Sequence, residues 1–428
     1  MTTPFRLGIA GLGTVGAGVV ALLDAEGETI AARAGRPVTI SAVAARNRTR
    51  ERGVDIGRFD WEDDPVALAA REDVDCVIEV VGGSDGPAKA TVERAITNAR
   101  HVVTANKALL AHHGQALAEA AEAAGVGLMA EAAVAGGIPC LRAIGEGLAA
   151  NRPTRVFGVL NGTCNFILTE MARRGAAYET VLAEAQRAGY AEADPTADVG
   201  GWDAAHKLAL LAALAFGTRV DMDGVVVEGI ERVSPEDLST AHDLGLAVRL
   251  VGLAALTEAG LEARVRPVMV AEETTIGRLR GVTNAVVVEG EAIGQVALTG
   301  PGAGAGPTAS AILADVVALA RGHRRPLFGV PATSLAAARR VAPGEERAAH
   351  YLRFMLEDTP GALARVAAGL GEEGVSIQRM HQYDGGDAVP VVMVTHEAPR
   401  AALDRALARI GDLAICRAAP VAMRIDRM

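Results

Sequence analysis

The stretch Gly189-Tyr-Ala-Glu192-Ala-Asp194-Pro-Thr-Ala-Asp198-Val-Gly-Gly-Trp-Asp203-Ala-Ala-His206-Lys207 gathers four carboxylates and a lysine. Asp203 and Lys207 stand i, i+4 at the start of an apolar run, so on a helix they share one face. Acids so placed can hold a substrate ammonium, and a lysine can give or take a proton at a reacting oxygen. Asp203 can also cap that helix. The plain alternative is a capped helix with a surface ion pair, but the acid-rich loop leading into it favours an amine-binding site. A second lysine, Lys107 in Thr104-Ala-Asn106-Lys107, directly follows a short apolar run. In an open α/β sheet that position faces the ligand crevice. Taken alone, it reads as a surface lysine.

These groups need elements to position them. Gly11-Leu-Gly13-Thr14-Val15-Gly16 follows the apolar run Phe5–Ala10 and opens a helical stretch, which is the setting a dinucleotide-binding turn requires. Gly11 allows the tight turn, Gly13 lets a pyrophosphate approach the backbone, and Gly16 lets helix pack on strand. The helix N-terminus then faces the phosphates. After the second strand, Thr39–Ala45, no acid stands ready for ribose hydroxyls. The chain reads Arg46-Asn-Arg48 there, and a cation suits a 2′-phosphate, so NADP is favoured with NAD possible. A solvated basic loop is the other reading. A second glycine-rich loop, 300–308 with Gly304 in it, precedes another helix. It suits either close ligand approach or a flexible connection. Cys164 reads as a buried thiol, because no histidine stands at a telling spacing.

Strands and helices alternate from residue 5 to about 130, which predicts a doubly wound parallel sheet. The middle region mixes helices at Cys164–Arg174, Tyr178–Ala188 and Asp203–Phe216 with two hairpins, Val248–Leu256 with Leu261–Val270 and Val286–Val288 with Ala292–Leu298. That mixture predicts an α+β domain. The polar segment 341–350 carries Pro and Gly and reads as a linker. Beyond it the order is strand, helix, strand, strand, helix, strand, the ferredoxin-like arrangement. The expected division is 1–135 (completed by about 300–330), 136–330, a linker at 331–348, and 349–428.

Composition narrows the class. Of 428 residues, 50% are hydrophobic and 22% charged, which excludes long disorder. Aromatics are 3% and the net charge is -10. Both argue against nucleic acid or an anionic membrane as partner. The four cysteines are scattered with no C-x-x-C, against a disulfide framework or a cysteine zinc site. No apolar run is long enough for a signal or a membrane span, so the cytoplasm is the expected compartment.

Together these residues resemble the homoserine dehydrogenases. GLGTVG, TANKALL, EAAVAGGIP, LNGTCNFILTEM, GYAEADPTADVGGWDAAHK and GPGAGAGPTAS carry the likeness in the family's order across nearly all of residues 5–330. Cys164 stands where the family often has Thr. The C-terminal segment, with Asp358-Thr-Pro360-Gly361-Ala-Leu363 after its first strand, resembles an ACT domain.

The resemblance implies a Rossmann-type domain, an α+β catalytic and dimerisation domain, and an ACT regulatory domain. It implies reversible hydride transfer between L-homoserine and L-aspartate 4-semialdehyde, on the route to threonine and methionine. Lys207 matches the family's catalytic lysine, Lys107 a second lysine near cofactor and substrate, and Asp203 would orient Lys207. Glu192 matches a substrate-binding glutamate, with Asp198 and Gly189 beside it. Gly11, Gly13, Thr14, Val15, Gly16, Arg46, Lys107 and Gly304 would hold the cofactor. Two lysines so close are expected to lower each other's pKa.

The family also binds a structural sodium ion through backbone carbonyls, which here match Glu131, Val134, Gly136 and Ile138. A homodimer or homotetramer is implied, as is L-threonine acting as effector at Asp358 and Gly361. Two other activities fit parts of the pattern. An aspartate-semialdehyde dehydrogenase needs an activated cysteine with a histidine partner. A non-catalytic amino-acid sensor would leave the lysines and carboxylates without a purpose.

Overall fold

A computed structural model describes residues 3–428 apart from Pro343, Asp387 and Arg427. Pro343 belongs to the expected linker and so lies outside the described residues.

The first sheet is parallel throughout. Its strands are β1 (Phe5–Ala10), β2 (Val38–Ala44), β3 (Asp60–Glu62), β4 (Cys76–Glu79), β5 (His101–Thr104) and β6 (Leu128–Met129). Their order is β3-β2-β1-β4-β5-β6. Every residue of β4 is buried, as expected of a strand covered on both faces. The order reverses between β1 and β4, and the crevice at their carboxyl ends is where such sheets take ligands. The helix Thr14–Ala34 packs against Ala305–Ala320, so a helix from far along the chain covers the first domain.

The second sheet has β7 (Pro153–Val159), β8 (Val226–Val227), β9 (Leu246–Thr257), β10 (Gly260–Ala271), β11 (Thr283–Gly290) and β12 (Gly294–Pro301). It continues with β13 (Arg347–Leu356), β14 (Ile377–Gln382), β15 (Val389–Thr395), β16 (Ala398–Pro399) and β17 (Val421–Asp426). The main path runs β12-β11-β7-β9-β10-β17-β13-β15-β14, with β8 on β10 and β16 on β13. Both expected hairpins form. β9 and β10 run longer than their apolar cores because register continues to Thr257 and Gly260. Helix Trp202–Phe216 is buried along nearly its whole length and packs on β7, β9 and β10. A helix apolar on all sides belongs in such a core position.

The C-terminal strands lie in the order β17-β13-β15-β14, with helices Ala362–Glu372 and Arg400–Gly411 packed together. The linker expectation needs correcting. The strands of the middle and C-terminal units form one sheet, because β17 pairs in parallel with β10 at Val268–Arg424, Met269–Ile425 and Val270–Asp426. The polar segment before β13 is also tied down. Val341 N donates to Leu261 O at 3.1 Å. Arg400 N and Ala401 N donate to Glu346 O and Gly344 O at 3.0 and 2.9 Å, closing the first turn of helix Arg400–Gly411. Proline and glycine marked a break in periodicity, but its described backbone is tied at Val341, Gly344 and Glu346, and β13 already begins at Arg347.

Candidate active site

Asp203 does not cap its helix. The N-cap is Gly201, at φ 85°, and the Asp203 carboxylate instead lies between two lysines. Lys207 Nζ is 2.7 Å from Asp203 Oδ2 and 2.7 Å from Leu160 O. Lys107 Nζ is 3.0 Å from Asp203 Oδ1. Lys107 stands first in the helix Lys107–Ala123, whose N-cap Asn106 accepts from Leu109 N. The strand β5 and its turn therefore deliver one lysine, and the buried helix delivers the other.

This geometry overturns the expected mutual lowering at Lys107. The negative charge of Asp203 outweighs burial and holds the Lys107 ammonium above its usual range. Burial pushes the Asp203 carboxyl up, but the two lysine charges and the bonds from Lys207 and Asn161 hold it well below the carboxylate range. Asp198 moves the other way, raised by burial and then by the neighbouring Asp203 charge.

Asn161 was missing from the sequence reading. Its Nδ2 donates to Asp198 Oδ1 and to Asp203 Oδ2, both at 2.8 Å. Its Oδ1 accepts from Cys164 N and caps the helix Gly162–Arg174. The available signal was an Asn-Gly-Thr run after a strand, which announces a cap but not a partner for two acids. Cys164 is fully buried, and burial followed by the charges of Asp198 and Asp203 pushes its thiol far up. A thiol so placed is a poor nucleophile, which gives no support at Cys164 to the thioester chemistry of an aspartate-semialdehyde dehydrogenase.

These groups line one cleft of about 610 Å³. Lys107, Lys207, Asp203, Asp198, Glu192 and Gly189 face it from the second domain and the β5 turn, and Val15 and Gly304 from the nucleotide side. Glu192 is exposed, and Gln186 Nε2 fixes its carbonyl at 3.1 Å. Gly189 and Gly304 have φ of 75° and 114°, open to glycine at little cost.

Gly11, Gly13, Thr14 and Gly16 form the turn beside the cleft. Gly11 has φ 104°, with Val80 O where a Cβ would stand. A Cβ on Gly16 would strike Gly11 O, whereas around Gly13 that space is open. Open space before the first turn of helix Thr14–Ala34 fits a pyrophosphate. Arg46 is exposed just beyond β2. Arg48 and Arg52 lie over the Trp61 ring at 5.7 and 5.9 Å, and Arg52 Nε donates to Leu12 O at 3.0 Å. Arg52 thus joins the basic strip to the glycine-rich turn, a link the sequence reading did not contain.

Glu131, Val134, Gly136 and Ile138 lie on the segment after β6. The Glu131 carboxylate accepts from Leu141 N and Arg142 N at 2.7 and 3.0 Å and meets Arg325 at 3.1 Å. Ala135 and Gly136 both have φ 54°, a reversal that turns successive carbonyls. Among the described residues no three His, Cys, Asp or Glu side chains gather as metal ligands. In the C-terminal unit, Asp358 and Gly361 line a separate groove of about 550 Å³ with Met380 and Gln382.

Comparison with known proteins agrees along the whole chain. The family profile "Homoserine dehydrogenase, NAD binding domain" matches residues 11–131, "Homoserine dehydrogenase" matches 139–317, and "ACT domain" matches 350–412. A homoserine dehydrogenase of Neisseria gonorrhoeae is 41% identical, covering 98% of each chain. The crystal structure of a homoserine dehydrogenase from Thiobacillus denitrificans superposes with a TM-score of 0.93 at 39% identity, covering 99% of each chain. A hyperthermophilic archaeal homoserine dehydrogenase solved with NADPH shares the fold over 74% of this chain and 97% of its own, at 23% identity and a TM-score of 0.64. The chain belongs to the homoserine dehydrogenase family: an oxidoreductase with a nucleotide-binding domain, a catalytic domain and a C-terminal ACT domain.

Proposed function

We propose that this chain interconverts L-aspartate 4-semialdehyde and L-homoserine on the route to threonine and methionine, using NADPH in preference to NADH. The observation that carries this reading is the Asp203 carboxylate held between Lys107 and Lys207 in a cleft that also reaches the glycine-rich turn. The bound nicotinamide supplies the hydride. Negative charge grows on the aldehyde oxygen during reduction, and the Lys207 ammonium, aimed by Leu160 O and Asp203, stabilises it and then donates the proton. Lys107 stays cationic and acts through its field. Glu192 and Asp198 receive the substrate ammonium, and Asn161 keeps Asp198 and Asp203 apart at a fixed spacing. Gly13 and the first turn of helix Thr14–Ala34 take the pyrophosphate, and Arg46 with Arg48 takes the 2′-phosphate.

Three further assignments rest on the family resemblance and fit the geometry. The carbonyls of Glu131, Val134, Gly136 and Ile138 would hold a structural sodium ion, consistent with the reversal at Ala135–Gly136. The exposed edge strand β12 offers its free side to a second copy, giving a dimer that could pair again into a tetramer. L-Threonine would occupy the groove at Asp358 and Gly361 and inhibit. Initial rates with homoserine and each nicotinamide cofactor, with and without L-threonine, test the reading in one experiment. The expected outcome is turnover with a lower KM for NADP than for NAD, and inhibition by threonine. No turnover with either cofactor would overturn the activity, equal KM values the cofactor preference, and indifference to threonine the effector.

A further inference from the structure

A second cleft, about 530 Å³, opens where β8, β10, the segment before β13 and helix Arg400–Gly411 meet. Both signs of charge line it, notably Arg266, Arg400 and Glu228, beside apolar Val227 and Leu261. It shares no lining residue with the active-site cleft or with the groove at Asp358.

Its charges are unevenly satisfied. The Arg266 side chain is only 7% exposed; among the described residues its Nε has no hydrogen-bond partner, and its one ion pair, to Glu346 Oε1, is long at 3.4 Å. A buried guanidinium short of acceptors is costly, and a carboxylate is the group that matches it. Arg400, itself only 20% exposed, pairs with Asp404, which is half in water. Glu228 is half-buried and pairs with no cation among the described residues. A free acid, an under-satisfied guanidinium and a short apolar wall together describe the complement of one ligand class.

We propose that this cleft binds a free α-amino acid as its zwitterion, with its carboxylate on Arg266 and Arg400, its ammonium on Glu228, and its side chain along Val227 and Leu261. The site is distinct from the Asp358 groove assigned above to threonine.

The cleft wall leads to the catalytic helix. Glu228 N donates to Val265 O at 2.8 Å, and Ile230 N donates to Val199 O at 2.9 Å, one residue from Asp198. Gly201, the N-cap of the helix bearing Asp203 and Lys207, lies so close that a Cβ there would touch Val227 and Val265. A ligand pressing on Val227 and Glu228 therefore bears on the turn that sets Asp198 and Asp203. Occupancy shifts the KM for homoserine. That coupling rests on the activity proposed above; the binding does not.

The test uses the full chain carrying Asp358→Ala, which disables the other groove. Saturation-transfer NMR is run with each standard L-amino acid singly at about 10 mM, enough to fill a millimolar site. At least one is expected to bind, and Glu228→Gln and Arg400→Met are each expected to weaken it about tenfold, the loss of one charge-assisted contact. Thermal melts confirm that both variants fold. The site is overturned if no amino acid binds, if binding is unchanged in both variants, or if the methyl ester of the binder, lacking the carboxylate, binds equally well. For the binder, an unchanged homoserine KM in the unmutated enzyme overturns the coupling. Absence of turnover without any effector would instead overturn the activity and leave the binding result standing.

Discussion

Asp203 is half-buried, accepts from Asn161 and Lys207, and faces Lys107 at 3.0 Å. Its charge is what holds the Lys107 ammonium above its ordinary range. Asp203→Asn keeps the shape and removes that charge, so Lys107 should lose its proton at lower pH. The alkaline limb of the kcat/KM profile is then expected to move down in pH, and an unmoved limb in an active variant would contradict this. Lys207→Ala should lower kcat on the order of 10²–10⁴-fold with NADPH binding intact, as for loss of a general acid; near-normal turnover would show the proton comes from elsewhere. Asp203 and Lys207 were legible because their i, i+4 spacing carries chemistry, whereas Lys107 alone read as a surface lysine and was singled out only by the family resemblance. Asn161 was not, since a lone asparagine after a strand reads as a helix cap whatever else it touches. Arg52 was not, because its contact with Leu12 joins residues that no local pattern relates.

The start of helix Trp202–Phe216 is where element and chemistry meet. Gly201 sits at φ 85° with Val227 and Val265 against it. Gly201→Ala adds left-handed strain, on the order of 1–3 kcal/mol, and forces the helix start away from β8. A lower Tm and a raised homoserine KM are expected together; a variant with normal Tm and KM would show that this contact positions nothing. The long helices and both hairpins could be read from periodicity and turn residues. The two-residue β8 could not, since it exists only through its pairing with Arg264 and Val265. β13 was placed late because Pro and Gly shortly before it masked where pairing resumes.

Across the whole molecule, the pairing that joins the second and third units at their seam left no local trace in the sequence. Parallel pairing between remote strands is written in neither strand alone. The seam is also charged: Asp426 on β17 meets Arg264, Arg424 and Arg155 at 3.1, 3.0 and 3.6 Å. Arg264 is 2% exposed and also meets Glu262, so losing Asp426 removes one of the two acids that hold a buried cation and is destabilising. A chain ending at residue 342 is therefore expected to melt well below the full protein and to self-associate through β10. A monodisperse, fully active body with unchanged Tm would show that the seam is not structural.

The β10–β17 ladder also sets a timetable for synthesis. Val268, Met269 and Val270 find their partners only at Arg424, Ile425 and Asp426, and pairing over such separations is slow. While everything between is being made, β10 carries an apolar edge that invites another chain. Arg266 and Arg264 stand two and four residues before that edge, where like charges on neighbouring nascent chains repel. The same arginines that later bind the two units together thus chaperone the strand while it waits.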